Sequence, residues 1–294
     1  MTGTEMNCNP LVSIIIPYYN QQLFIAGTVL SAKHQTYPNV EIIVVDDGSP
    51  VPAEPYLREL DGIQLFRTEN HGCPAARNFG FAKSSGDYLI FLDGDDLLQA
   101  GAIEAHLKEL AHHPEVGLSF GPSRVINEHG ELIRPAHICR PRKDYYLMFL
   151  ETNPICSPGA TMIPRNAFIE AGMFDDRLRA QVDDYDLYLR LARKYRVAQH
   201  DFCVLDYRLH SNNISKDQEK MLAGTLAMLD RVETSAKLSP SQRRRLRYGR
   251  NRWIHMFRPQ RTLAYRLLLI YYKFRAVFDV PLRAYYDEIR ASMR

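Results

Sequence analysis

Three short polar clusters each follow directly on an apolar run. Val12–Ile16 leads into Pro17-Tyr18-Tyr19-Asn20, Val40–Val45 into Asp46-Asp47-Gly48-Ser49, and Tyr88–Leu92 into Asp93-Gly94-Asp95-Asp96. Three carboxylates within four residues repel one another unless a cation lies among them. Asp93 and Asp95 fall on one side if strand alternation persists through Gly94. That arrangement suits Mg²⁺ or Mn²⁺, which take oxygen ligands and are completed by water and substrate phosphates. A solvated acidic turn capping the next helix is the competing reading. At Asp46, turn chemistry competes with a carboxylate that accepts from the N–H of a pyrimidine base. A fourth acidic group, Asp183-Asp184, precedes Asp186 and Arg190. Helix capping explains it, unless one carboxylate faces a cleft and takes a proton from a hydroxyl. His210, within Tyr207-Arg208-Leu209-His210, reads by itself as a surface residue. The sequence holds neither GxxxxGK[ST] nor GxGxxG, which argues against kinase, P-loop and dinucleotide-binding readings.

These clusters need elements that bring them to one edge. In open α/β sheets ligands bind beyond the carboxyl ends of the strands. Val12–Ile16 is β-branched, continuous and stopped by Pro17, as expected of a strand buried on both faces in a parallel sheet. Helical spacing follows from Leu23 to Gln35. The alternation continues with a strand at Val40–Val45, a helix near Ala53–Leu60 and a strand at Ile63–Arg67. A helix opened by Pro74 runs to Ser84, followed by a strand at Tyr88–Leu92, a helix from Ala100 to His112 and a strand at Val116–Phe120. This order predicts an α/β sheet with right-handed crossovers. Arg124–Arg142 reads as a hairpin insertion turning at Glu128-His129-Gly130. Beyond it come a strand at Gly159–Ile163, helices at Arg165–Ala171 and Asp184–Tyr195, and a strand at Ala198–Tyr207. After Ser215 the pattern is helical, with breaks near Ser239-Pro240 and Arg258-Pro259.

Composition sets the outer bounds. A chain of 294 residues with 46% hydrophobic and 24% charged residues is globular, not disordered, collagen-like or a disulfide scaffold. Its net charge of +3 conceals a division after Ser215: net −8 before it and net +11 after it. Between Thr234 and Phe278 stand twelve basic residues and no acidic one, so this stretch requires an anionic neighbour or solvent. The five cysteines are widely spaced without a CxxC pair, which predicts a reducing compartment and no zinc site. No secretory signal and no apolar run of about 18–20 residues is present, which predicts a cytoplasmic location or the inner face of a membrane.

From Leu11 to Ser215 the chain resembles the family 2 glycosyltransferases, which have the GT-A fold: an α/β, Rossmann-like mixed sheet that binds nucleotide-diphospho-sugars. The resemblance rests on four motifs in order: Val12 through Asn20, Ile43 through Ser49, Gly72-Cys73-Pro74-Ala75-Ala76-Arg77-Asn78-Phe79-Gly80, and Gly86 through Asp96. It implies transfer of a sugar from a nucleotide diphosphate donor, a UDP-sugar, with inversion at the anomeric carbon. Pro17, Tyr19 and Asn20 would border the nucleotide, Asp46 would read a uracil edge, and Arg77 would lie beside the nucleotide. Asp93 would approach the ribose and Asp95 the metal, Mn²⁺ or Mg²⁺. His210 resembles a family histidine that holds the metal or diphosphate. The family's acidic pair is usually Glu-Asp; here it is Asp183-Asp184, so Asp184 is assigned as base with Asp183 as rival. In-line attack would put Asp184 and Asp95 on opposite sides of the sugar.

The expected organisation is thus a catalytic domain over 1–215 and a basic, aromatic-rich helical C-terminal region over 216–294. The acceptor would be a hydroxyl of a glycan or lipid-linked glycan. Arginines interleaved with aromatics over 243–275 suit an anionic membrane surface, while packing on the catalytic domain is the alternative and nucleic acid the least favoured partner. Two other functions fit parts of the pattern: a nucleotide-sugar binding module without turnover, and a sugar-phosphate nucleotidyltransferase that releases pyrophosphate.

Overall fold

The computed structural model describes residues 9–257, apart from 112, 137, 139–143, 179–181, 212, 214, 215 and 236. The chain divides into two compact units, Met1–His137 with Ile155–Lys216, and Ile138–Pro154 with Asp217–Arg294. The segment Ile138–Pro154, placed in the catalytic part by the sequence reading, thus groups with the helical residues.

The first unit alternates as the apolar runs require. Its elements are β1 (Val12–Tyr18), α1 (Ile25–Lys33), β2 (Val40–Asp47), α2 (Glu54–Leu57), β3 (Ile63–Thr68), α3 (Cys73–Lys83), β4 (Tyr88–Phe91), β5 (Leu97–Leu98), α4 (Ala102–Leu110), β6 (Val116–Phe120), β7 (Ser123–Asn127) and β8 (Leu132–Arg134). After α5 (Tyr145–Phe149), which belongs to the second unit, come β9 (Thr161–Pro164), α6 (Arg165–Ala171), α7 (Asp183–Lys194), β10 (Arg196–Gln199) and β11 (Leu205–Leu209). The large sheet has the order β10-β6-β9-β4-β1-β2-β3. It is mixed, since β9 runs antiparallel to β4 and β6 while the other pairs are parallel. Val12, Ile14, Ile15, Ile16, Ile43, Val44 and Val45 are fully buried, as central strands covered on both faces must be.

Pro17 does not stop β1, which continues to Tyr18. The ladder to β4 ends at Ile15↔Phe91, so the N–H that Pro17 lacks would point past the end of its neighbour and leaves nothing unpaired. The hairpin insertion forms β7 and β8, antiparallel to each other, within a second sheet of order β5-β11-β7-β8. The single strand expected over Ala198–Tyr207 is two strands in two sheets: β10 pairs with β6, whereas β11 pairs with β7 and β5. The chain leaves one sheet at His200 and joins the other at Leu205, with the Val204 N–H donating to Pro122 O at 3.0 Å.

The second unit contains α5, α8 (Gln218–Ser235) and α9 (Pro240–Phe257). Ser239-Pro240-Ser241-Gln242 opens α9 as a reciprocal cap: the Gln242 N–H donates to Ser239 Oγ at 3.3 Å and the Ser239 N–H to Gln242 Oε1 at 2.8 Å. Within this unit Arg245 pairs with Glu151, and Arg250 with Asp230 and Glu233. Arg245 and Arg250 of the acid-free stretch therefore find anionic neighbours here, while Arg243, Arg244 and Arg247 are exposed. The expected break at Arg258-Pro259 and the remainder of 243–275 lie outside the described residues. Among the described residues no helix is long and apolar enough to cross a membrane.

Candidate active site

β4, β1 and β2 are neighbours in the sheet, so the clusters after them share one edge. Beyond β1, Tyr18 is buried and donates its hydroxyl to Val51 O at 2.8 Å, whereas Tyr19 is 47% exposed. Asn20 takes a positive φ of 55°, a conformation asparagine tolerates better than most residues. Its N–H donates to Ser49 Oγ at 2.9 Å, which ties the β1 and β2 loops together.

The two aspartates after β2 have different occupations. Asp46 is only 2% exposed. Its carboxylate accepts from Ser49 N at 2.8 Å, Ala53 N at 3.0 Å and Arg67 Nη1 at 3.0 Å, three of roughly four lone-pair sites. Among the described residues Asp47 accepts only from His71 N and Gly72 N, each at 2.9 Å. That pair of bonds hangs the loop preceding α3 on the end of β2. Gly48 is obligatory there, since a Cβ would lie 2.6 Å from Asn70 N and φ is +63°. A cavity of about 580 Å³ opens beside this loop, lined by Asp47, Thr68, His71, Ala76, Phe79 and Arg177. Its size suits a small-molecule ligand. Asp47 and not Asp46 faces it.

The acidic cluster after β4 is a turn, closed by the Asp96 N–H donating to Asp93 O at 3.1 Å. The strand ends at Phe91, so the expected period-two alternation through Gly94 does not set these side chains; their partners do. Nor is the turn solvated, because Asp95 and Asp96 are buried. Asp96 accepts from Ser157 Oγ at 2.7 Å and Arg208 N at 2.9 Å. Burial, then the charges of Asp95 and Asp93, push its proton affinity well up. Asp95 meets His210 Nε2 at 2.8 Å. The histidine is buried and its ring stacks on Phe24, with centroids 4.7 Å apart, while the Arg208 guanidinium lies over the other partner of that stack, Phe24, at 5.1 Å.

Among the described residues no three metal-binding side chains converge. The donor set of Asp95 and His210, one carboxylate oxygen and one ring nitrogen converging in a buried place, nevertheless fits an ion of the Mg²⁺ or Mn²⁺ type. Such an ion needs only one or two carboxylates from the protein when phosphates and water complete its shell.

Arg77 connects this edge to α7. It stands on α3, 5% exposed, with Nη2 donating to Asp93 Oδ1 and Nη1 to Asp183 Oδ2, both at 2.5 Å. Its guanidinium lies over the Phe174 ring at 5.2 Å. Asp183 and Asp184 occupy the first turn of α7, where the helix dipole favours anions. At Asp184 burial wins over the dipole. Desolvation foremost, then the charge of Asp183, lifts its carboxyl to about 7 despite Arg77. Among the described residues the donor to Asp184 is its neighbour's N–H, Tyr185, at 2.7 Å.

The sequence reading missed Asp47, His71, Phe79, Phe24 and Ser157. Asp47 carried a signal in its own motif, adjacent to the residue chosen. Ser157 and Phe24 carried none, since Ser157 reaches the site through contacts 61 and 64 residues apart with Asp96 and Asp93, and Phe24 across the fold with His210.

The structure thus joins a mixed sheet with an acidic turn on its carboxyl edge to a helix tipped with carboxylates. The sequence model of Glycosyl transferase family 2 matches residues 13–172, and the chain belongs to that family. It is 31% identical over 214 residues to an uncharacterized glycosyltransferase of Rickettsia bellii, an alignment covering 70% of this chain and 31% of that protein. It thus spans about a third of the length of such relatives. It is 29% identical over 233 residues to the Bacillus subtilis glycosyltransferase TuaG, named for teichuronic acid biosynthesis, covering 77% of this chain and 90% of TuaG. Among solved structures, S. aureus TarS 1–349 in complex with UDP-GlcNAc superposes with a TM-score of 0.68 at 15% identity over 85% of this chain and 76% of that one. The mannosyltransferase PcManGT from Pyrobaculum calidifontis, in complex with GDP-Man and Mn²⁺, gives 0.62 at 18% identity over 96% and 84%. At these identities the two structures establish the fold.

Proposed function

We propose that this glycosyltransferase moves a sugar from a UDP-sugar to a hydroxyl of a glycan or lipid-linked glycan, with inversion and with Asp184 as general base. The observation that carries the reading is the unequal treatment of the acidic pair. Arg77 takes Asp183, while Asp184 keeps an oxygen without a donor among the described residues and a proton affinity near 7. A base poised near working pH both holds its charge for part of the population and accepts a proton readily. The hydroxyl nucleophile is weak at neutral pH and needs such a carboxylate within hydrogen-bond reach.

The donor's base belongs in the cavity beside α3. Asp47, with lone pairs left over from the His71 and Gly72 N–H groups, is the carboxylate that can accept from a uracil N–H there. Asp46, placed on that edge by the family resemblance, instead holds the loop in shape. Pro17, Tyr19, Asn20 and Asp93 would border the donor, as the family resemblance implies. Asp95 and His210 would hold Mn²⁺ or Mg²⁺, which when bound neutralises charge on the departing diphosphate. TarS bound to UDP-GlcNAc and PcManGT bound to GDP-Man with Mn²⁺ support a nucleotide-sugar donor, and TuaG's assignment supports a polysaccharide acceptor.

A thermal-shift panel of UDP, GDP, CDP and ADP, each with and without Mn²⁺, tests this. The expected result is stabilisation by UDP that grows with Mn²⁺. At a hundredfold excess over Kd a ligand contributes about 2.7 kcal/mol. Equal, negligible shifts with all four nucleotides would refute the reading.

A further inference from the structure

We infer that Arg77 is a positioning residue that clips the donor edge of the sheet to the helix carrying the base, and that it does not hold the nucleotide. This rests on the reading of Asp184 as base. The family resemblance sets Arg77 beside the nucleotide, but the geometry gives its cation other work. One Nη group binds Asp93 in the β4 turn and the other binds Asp183 at the start of α7, 16 and 106 residues away in sequence. The face of the guanidinium lies over Phe174. Two carboxylates on one guanidinium leave the group at net −1, and Asp95 and Asp184 stand nearby, so it offers no positive field to a diphosphate. The fork is what the task requires. A planar guanidinium presents two separate N–H pairs at a fixed angle, whereas an ammonium is a single point charge.

The arrangement also separates two adjacent, chemically identical residues. The cation claims Asp183 and so fixes the first turn of α7, which leaves the neighbouring Asp184 turned to other use. Among the described residues, the charged and titratable groups facing Asp184 are Asp183 and Tyr188 on its own helix, Arg77 from α3 and Asp93 from the β4 turn. Of these, Asp183 and Asp93 raise its proton affinity and Arg77 lowers it. Loss of Arg77 must therefore move the Asp184 midpoint upward, and loss of the Asp183 charge must move it downward. A general loosening of the fold would not produce shifts of opposite sign.

The test is a carboxyl-carbon NMR titration of protein labelled at aspartate Cγ, with the Asp184 signal identified by its absence in Asp184→Asn. It is run on the wild type, Arg77→Gln, Arg77→Lys and Asp183→Asn, alongside calorimetric titration with UDP and Mn²⁺. The expected midpoint rises by about one pH unit in Arg77→Gln, stays within a few tenths in Arg77→Lys, and falls by about one unit in Asp183→Asn. UDP affinity should stay within about threefold throughout. An unmoved midpoint in both Arg77→Gln and Asp183→Asn overturns the inference, as does a tenfold or greater loss of UDP affinity in Arg77→Lys. Should Arg77→Gln fail to fold, Asp183→Asn opens the same clip from its other end and decides alone. The titration needs neither donor nor acceptor, so its outcome stands apart from that of the nucleotide panel.

Discussion

Replacing Asp184 by asparagine should disable the enzyme and make the protein more stable at once. The carboxyl is lifted to about 7 from an ordinary 3.8. Each factor of ten in proton affinity corresponds to about 1.4 kcal/mol, so the ionised side chain carries an upper bound of roughly 4 kcal/mol of burial penalty. Relaxation of Asp183 and Arg77 offsets part of this, leaving an expected stabilisation of about 1–2 kcal/mol in Asp184→Asn. The pH window follows from the sign. A carboxyl with a raised folded-state pKa binds its proton more tightly in the folded than in the unfolded state, so stability is lost as pH rises from about 4 to about 7. The gap between variant and wild type should be absent near pH 4 and complete at pH 8, where the variant melts about 3–6 °C higher. Transfer, followed as UDP release from the UDP-sugar that best stabilises the wild type, should fall by about 10²- to 10⁴-fold while donor binding persists. A variant within tenfold of wild-type turnover, or a melting gap of equal size at pH 4 and pH 8, would refute the assignment.

The same pKa predicts that wild-type kcat/KM falls tenfold per pH unit below about 7, so that at pH 6 roughly a tenth of the plateau remains; a flat profile from pH 5.5 to 8 contradicts it. Substituting His210→Ala should remove the Mn²⁺-dependent part of the UDP thermal shift and leave the metal-free part within about 1 °C; an undiminished Mn²⁺ response would count against His210. In α9, Gly249→Ala puts a Cβ 2.2 Å from Leu150 O and 2.8 Å from the Glu151 Cα. These are backbone atoms with little freedom to move, so overpacking of about 1–3 kcal/mol exceeds the helix-propensity gain of about 1 kcal/mol, visible as a lowered urea midpoint. Arg243→Glu, Arg244→Glu and Arg247→Glu together should abolish sedimentation with anionic phosphatidylserine vesicles, if the exposed face of α9 meets a membrane; wild type that fails to sediment at low salt excludes that surface.

The parallel core was legible because its signal is local. Runs such as Val12–Ile16 and Val40–Val45 are short, rich in β-branched residues and alternate with helical spacing, the pattern of strands buried on both faces of a parallel sheet. What the sequence could not convey was allegiance between sheets. Ala198–Tyr207 has continuous strand character, yet β10 and β11 join different sheets because their partners, β6 and β7, are themselves separated by the break at Gly121-Pro122. The small sheet is built from pairs 82 residues apart, such as Arg124 with Asp206, which leave no periodic trace.

The site shows the same limit at the scale of single residues. Asp46 and Asp47 are identical and adjacent, and each satisfies a turn motif, but the pleat sends their side chains to opposite faces. One side offers the Ser49 and Ala53 N–H groups and Arg67, which consume the carboxylate; the other offers the N–H groups of His71 and Gly72 and an open cavity. Asp183 and Asp184 diverge in the same way once Arg77 is in place. Residue type thus announces that carboxylates gather on this edge, while the division between scaffold and chemistry is decided by which donors arrive from distant segments. Where two equivalent acids stand side by side, the one left short of internal donors is the one available to a substrate.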